Sequence, residues 1–299
     1  MQRNLRYKQE TWTAVRFISP FFLFFIIFKF YPLVYGIVVS FLDRNSIRKL
    51  NSTVFMGITN YVRVLSSATV RLSFLHTLQY SVIYVSLTMI LALLMAVFLN
   101  KKFVGRTAVR TMFYIPYVTN LIAVGIVWKY LLNPFEGPIN TFLGNLGLRG
   151  DRMPQWLSGT SMALPTTAFI STWVTLAFSV ITLLAALQEI PATFFEVAEI
   201  EGVSRAQRLR YLILPALKPT LGFLLMMNVI NSFKNYTVVV ALTNGGPGNA
   251  TRVASFQIYE DAFQYYKFSY SSAYAVLLTL FILLVTLVLM KLRKCWEED

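Results

Sequence analysis

The chain has 299 residues and a formal charge of +14, from 27 Lys and Arg against 13 Asp and Glu. It is 56% hydrophobic, 15% aromatic and 13% charged, about half the charged share of a soluble domain. That composition excludes a water-soluble globule and a disordered chain, and it makes the basic excess a signal of membrane topology rather than of nucleic-acid binding.

Six stretches reach the roughly 20 apolar residues needed to cross a bilayer: about 17–41, 72–99, 111–132, 161–187, 219–242 and 271–290. None contains Asp or Glu. The first run is too long for a cleavable signal peptide and no small-residue cleavage pattern follows it, so it is expected to remain as a span. The expectation is an all-α, polytopic membrane protein with one transmembrane domain over 17–292, between tails 1–16 and 293–299.

Charge in the connections predicts the orientation. One set of segments carries fifteen basic residues: Arg3, Arg6, Lys8 and Arg16; Lys101, Lys102, Arg106 and Arg110; Arg205, Arg208, Arg210 and Lys218; Lys291, Arg293 and Lys294. The other loops carry nine: Arg44, Arg48, Lys49, Arg63, Arg71, Arg149, Arg152, Arg252 and Lys267. The positive-inside rule then predicts both termini in the cytoplasm. The external loops 42–71, 133–160 and 243–270 are long enough to carry short helices. One cysteine, Cys295, and one histidine, His76, exclude a disulfide framework and Cys- or His-cluster metal sites.

The loop 188–215 is the most informative stretch. Pro191 suits a first helical turn, Gly202 a left-handed helix close, and Ser204 with Gln207 a capping box. The pattern predicts a helix, a break at Gly202 and a second helix to about Leu214, ended by Pro215. An amphipathic loop on the membrane surface is one reading. The cluster Glu196, Glu199 and Glu201 favours a helix offered to a protein partner, because surface-binding helices are usually basic.

Glu196-Val197-Ala198, Gly202 and Ile213-Leu214-Pro215 resemble the EAA loop of binding-protein-dependent ABC importer permeases. Val197 replaces the usual middle Ala, and Glu201 the usual Asp before Gly. Thr243-Asn-Gly-Gly-Pro-Gly-Asn-Ala-Thr251, Asn133-Pro-Phe-Glu-Gly-Pro-Ile-Asn140, Tyr259–Phe263 and Tyr274–Val276 are similar to segments of the MalF-type, sugar-importing branch. The resemblance runs from about Phe17 to Leu292. It implies a MetI/MalF-like type I importer fold in the cytoplasmic membrane of a bacterium. Glu196, Ala198, Gly202, Ser204, Arg205, Leu214 and Pro215 would then couple the chain to an ATPase. The partners it implies are a second, MalG-type permease, two ATP-binding subunits holding ATP and Mg, and an extracytoplasmic solute-binding protein. No nucleic acid is expected. The chain has no G-x-x-x-x-G-K-[ST] phosphate loop of its own.

Span five is the most polar. Leu224, Asn228, Asn231 and Asn235 share one helical face, and amides offer both the donors and the acceptors that sugar hydroxyls require. The same face could instead serve as hydrogen-bond glue between helices. Lys234 would either snorkel to the interface or contact an anionic saccharide such as a uronate. Tyr117, Asn120 and Trp173 are further cavity candidates. Spans without carboxylates argue against an ion-coupled carrier, and no nucleophile–base pair suggests an enzyme. A non-sugar solute, such as glycerol phosphate, an amino acid or a peptide, is the alternative cargo.

Overall fold

The computed structural model describes residues 2–101 and 103–298, which are helical apart from loops and one isolated bridge, Leu42 to Phe55. Lys102 lies outside the described residues, as do the side chains of Arg3, Arg6, Lys8, Asp151, Lys294 and Cys295. The chain divides into two units, Met1–Ser66 with Glu260–Leu277, and Ser67–Tyr259 with Leu278–Asp299.

In the first unit, α1 (Gln2–Phe25) continues through a π-helical turn, Ile26–Phe30, into α2 (Tyr31–Ser40). The run Val15–Ser40 is long and apolar enough to cross a membrane, yet only 6% of its apolar window is buried within the chain. The π turn has a local cause. Pro32 would clash with a carbonyl one turn back, and the wider turn, closed by the Tyr31 amide on the Ile26 carbonyl, relieves that clash. The 42–58 loop is tied down by buried Asn60 at the start of α3 (Thr59–Ser66). Its Nδ2 donates to the carbonyls of Ser40 and Leu42, each at 2.9 Å. Arg44 and Asn45 then reach Ser269 and Tyr270, each at 2.9 Å.

The second unit is built on α4 (Ala68–Asn100). It continues through α5 (Arg106–Val118), α6 (Leu121–Leu131), α7 (Pro138–Asn145), α8 (Ala163–Glu189) and α9 (Ala192–Ile200). After these come α10 (Arg205–Arg208), a second π turn (Leu209–Ile213), α11 (Leu214–Phe233) and α12 (Thr237–Leu242). α13 (Ala254–Phe263) and α14 (Phe268–Glu298) run from one unit into the other. α4 and α8 make the most extensive helix pair. Ala92 and Ala96 are fully buried in a core with Leu176, Val180 and Leu183, since small residues let the two backbones approach. α8 is the central helix, with 61% of its apolar window buried.

Three predicted elements are corrected. The expected third span, 111–132, is a pair of helices, α5 and α6, bent by 102°. Asn120 causes the restart: its Oδ1 accepts from the Ile122 amide at 2.9 Å and caps α6. The described residues thus include five helices long enough to span, or six if the bent pair counts as one. The expected fifth span, 219–242, ends at Phe233 and restarts at Thr237. Finally, Pro215 does not end a helix. The π turn Leu209–Ile213 accommodates it as Pro32 is accommodated, with the Leu214 amide bonded to the Leu209 carbonyl. Helix therefore runs unbroken over Arg205–Phe233. The long loops 42–71, 133–160 and 243–270 do carry short helices: α3, α7 and α13 lie in them.

Candidate functional sites: a docking loop and a polar seam

Local bonds shape the loop between α8 and α11. α9 closes as a Schellman motif. Gly202, at φ +66°, donates to the Glu199 carbonyl at 3.1 Å, and the Val203 amide to the Ala198 carbonyl at 3.0 Å. Nothing lies within 4 Å of where a Cβ on Gly202 would stand, so this chain alone does not crowd the position. Ser204 and Gln207 form the reciprocal capping box: Gln207 Oε1 accepts from the Ser204 amide at 3.0 Å, and Ser204 Oγ from the Gln207 amide at 3.3 Å. Pro191 is the N-cap of α9, one residue ahead of its first turn.

What the loop presents is open. Glu196, Gly202, Ser204, Arg205 and Pro215 are exposed, while Ala198 and Leu214 are half-buried. Phe195 packs inward on the α4–α8 core. Phe194, Val197 and Ile200 face outward, Ile200 at 84% exposure. α9, Val203 and Tyr211 enclose a groove of about 430 Å³. Outward apolar residues beside three carboxylates form a surface that water alone satisfies poorly, and a protein partner would cover it.

The second site lies along α11. Asn228 is buried and fully engaged: its Oδ1 accepts from Tyr84 Oη at 3.4 Å, and its Nδ2 donates to Ser179 Oγ at 3.4 Å. Asn235 donates to Tyr80 Oη and, at 3.1 Å, to Ser171 Oγ. Ser232 donates to Ser81 Oγ at 2.8 Å. Tyr80 and Tyr84 are buried and stacked, with centroids 5.8 Å apart. Asn228 and Asn235 thus sit in a seam joining α4, α8 and α11, whereas Asn231 and Lys234 are exposed. Lys234 is not inside a helix but is the C-cap of α11, where a cation meets the negative end of the helix dipole.

The remaining candidates lie on neighbouring surfaces. Tyr117, 42% exposed, stacks on Phe178 at 6.3 Å, and Trp173 meets Trp128 edge-to-face at 5.5 Å. Asn120 is occupied as a cap. The seam's hydroxyl partners were missed from sequence, although their spacing carries a signal. Ser73, Thr77, Ser81, Tyr84 and Thr88 on α4, and Thr167, Ser171, Thr175 and Ser179 on α8, recur every three or four residues. In the 243–251 loop, Thr243 and Thr251 pair at 2.7 Å, and a Cβ on Gly245 would come within 2.6 Å of the Phe256 ring. That contact fixes why glycine stands there.

Residues 88–294 match the family model described as binding-protein-dependent transport system inner membrane component. The trehalose/maltose transport system permease protein MalF of Thermococcus litoralis is 33% identical over 80% of each chain. The sn-glycerol-3-phosphate transport system permease protein UgpA of Brucella abortus is 30% identical over 90% of each. A chain of a bacterial alginate ABC transporter, solved with an alginate pentasaccharide-bound periplasmic protein, superposes with a TM-score of 0.85. It is 20% identical, with 98% of both chains covered, and so establishes the shared fold.

Proposed function

The chain belongs to the inner membrane components of binding-protein-dependent transport systems, and from that premise we propose that it is the permease subunit through which an ABC importer takes up a sugar or oligosaccharide. It works with a second permease, two ATP-binding subunits and an extracytoplasmic solute-binding protein, and both termini face the cytoplasm. ATP and Mg are held by the partner ATPases.

One observation carries the mechanism: the half of the docking loop that follows Gly202 continues as unbroken helix into α11, over Arg205–Phe233. An ATPase gripping Glu196, Gly202 and their neighbours would move that helix as a rod. The motion reaches Asn228 and Asn231 and rocks the substrate path between inward and outward openings. Glu196 pairs with a basic group of the ATPase. The absence of a packing neighbour at Gly202 supports a close backbone approach by the partner.

The sugar reading is supported by the Thr243–Thr251 and Asn133–Asn140 segments and by the names of the maltose and alginate proteins. Within it, Asn231 and Lys234 are the contacts open to a substrate, while Asn228 and Asn235 brace them from the seam. Lys234 is exposed, with no ion-pair partner among the described residues, so it suits a uronate carboxylate. The test is binding-protein-stimulated ATP hydrolysis and uptake by the reconstituted complex over neutral oligosaccharides, acidic oligosaccharides, glycerol phosphate and peptides. Saccharides should stimulate it, and Lys234→Met should weaken acidic substrates several-fold more than neutral ones. Equal losses remove Lys234 from the site, and stimulation by glycerol phosphate alone overturns the sugar reading.

A further inference from the structure

A second groove, of about 450 Å³, opens between the ends of α4 and α8 and the 205–213 turn. Its floor is apolar, with Leu187 and Ile213 from the core and Phe195 from the docking loop. Its rim is basic: Lys101, Arg205 and Arg208 line it, and no acidic residue does. These three side chains have no ion-pair or hydrogen-bond partner among the described residues, and the Nε of Arg208 is buried with its proton unpaired. Positive charge continues beside the groove. The amide oxygen of Gln188, next to Leu187, accepts from Arg106 and Arg110 at 3.1 and 3.2 Å in the orientation its neighbours require.

Cations crowded on one rim repel one another, and a buried guanidinium donor without an acceptor is costly. An anion would remove both penalties. A free phosphate would meet the rim yet leave the apolar floor wet. The level of the groove supplies the missing part of the ligand. Asn100 ends α4 and Glu189 ends α8 beside it, and the unbroken helix Arg205–Phe233 starts on its rim, so it lies at the level where apolar spans give way to lipid headgroups.

We infer that this groove is a binding site for an anionic phospholipid of the surrounding membrane. Lys101, Arg205 and Arg208 hold its phosphate, and an acyl chain lies along Leu187, Phe195 and Ile213. Because Phe195 and Arg205 belong to the docking loop, the bound lipid braces that loop from the membrane side. The inference does not depend on which solute the importer carries.

The experiment uses the whole purified importer in nanodiscs of mixed phosphatidylglycerol and phosphatidylcholine. After mild delipidation, native mass spectrometry counts the lipids and subunits retained. Wild type should keep phosphatidylglycerol several-fold in preference to phosphatidylcholine. Lys101→Gln/Arg208→Gln should bring that ratio towards one with both ATPase subunits still bound, and the charge-keeping Lys101→Arg/Arg208→Lys should restore it. If the double variant does not assemble, Lys101→Gln alone, at an exposed position, should show a partial loss. The inference is overturned by no headgroup preference in wild type, by an unchanged preference in the charge-removed variants, or by ATPase subunits leaving the Lys101→Gln complex, which would make the groove a subunit-docking surface.

Discussion

Around Gly202, the bonds that shape the chain join residues three to five positions apart. Around Asn228, they join helices 49 to 155 residues apart in sequence. The first region is a preformed projection whose own chain neighbours complete it. The second exists only when α4, α8 and α11 are packed together. The difference fits what the proposed function asks of each region. A docking loop must keep its shape while its partner moves, and local caps provide that cheaply at an exposed place. A seam through the middle of the unit must report on the packing of three helices, and side-chain hydrogen bonds between helices do so.

Gly202→Asp puts the greatest strain on this contrast. Asp tolerates a left-handed backbone better than most residues, and nothing in this chain occupies the space beside Gly202. The variant should therefore fold and insert normally. The added carboxylate, next to Glu199 and Glu201, should instead obstruct the ATPase. Binding-protein-stimulated ATP hydrolysis should fall about tenfold or more, equivalent to about 1.4 kcal/mol or more of lost coupling. Full stimulation in the purified complex would show that no partner approaches at Gly202.

Asn228→Leu probes the other region and should reverse the pattern, with a stability loss that an intact docking loop does not prevent. It removes the amide that bridges Tyr84 and Ser179, while Tyr84 keeps Thr175 at 2.9 Å. Interhelical hydrogen bonds in membranes are worth about 0.6–1.7 kcal/mol each, so a loss of about 1–2 kcal/mol is expected, read as a lower melting temperature in detergent. Unchanged stability together with a large loss of uptake would instead make Asn228 a substrate contact.

The same contrast explains what could be read from the sequence. The helix break at Gly202, the capping box at Ser204 and the spans over α4, α8 and α14 are properties of short windows, and each was legible. Hydropathy puts Lys234 inside a span because it averages across the Lys234–Tyr236 break. Pro215 reads as a terminator because no local residue pattern tells whether a π turn will absorb a proline. Pro116, three residues before the bend after Val118, was a visible hint for the third span, but the bend depends on Asn120 capping the next helix. Amphipathicity placed Asn228 and Asn231 on a common face, yet one is buried and the other exposed. Which edge of that face meets α4 and α8 is decided by hydroxyls on those two helices, and no window around Asn228 contains them.

The smallest effect should come from Ser204→Ala, which tests whether the docking loop is as locally determined as its bonds suggest. The change removes the acceptor of the Gln207 amide and half of the capping box. N-cap losses of this kind cost about 1 kcal/mol. Here the helix that follows does not stand alone, because α10 continues through the π turn into α11, so the global melting temperature should barely move. The cost should appear locally, as faster amide hydrogen exchange over Arg205–Arg208, with a modest fall in stimulated ATP hydrolysis. Restoring the cap with Ser204→Asp should recover both readings, since Asp serves as an N-cap acceptor and its charge suits a helix N-terminus. If Ser204→Ala instead destabilises the whole chain, the loop is coupled to the core far more tightly than bonds spanning three to five residues imply. The contrast with the Asn228 seam would then fail.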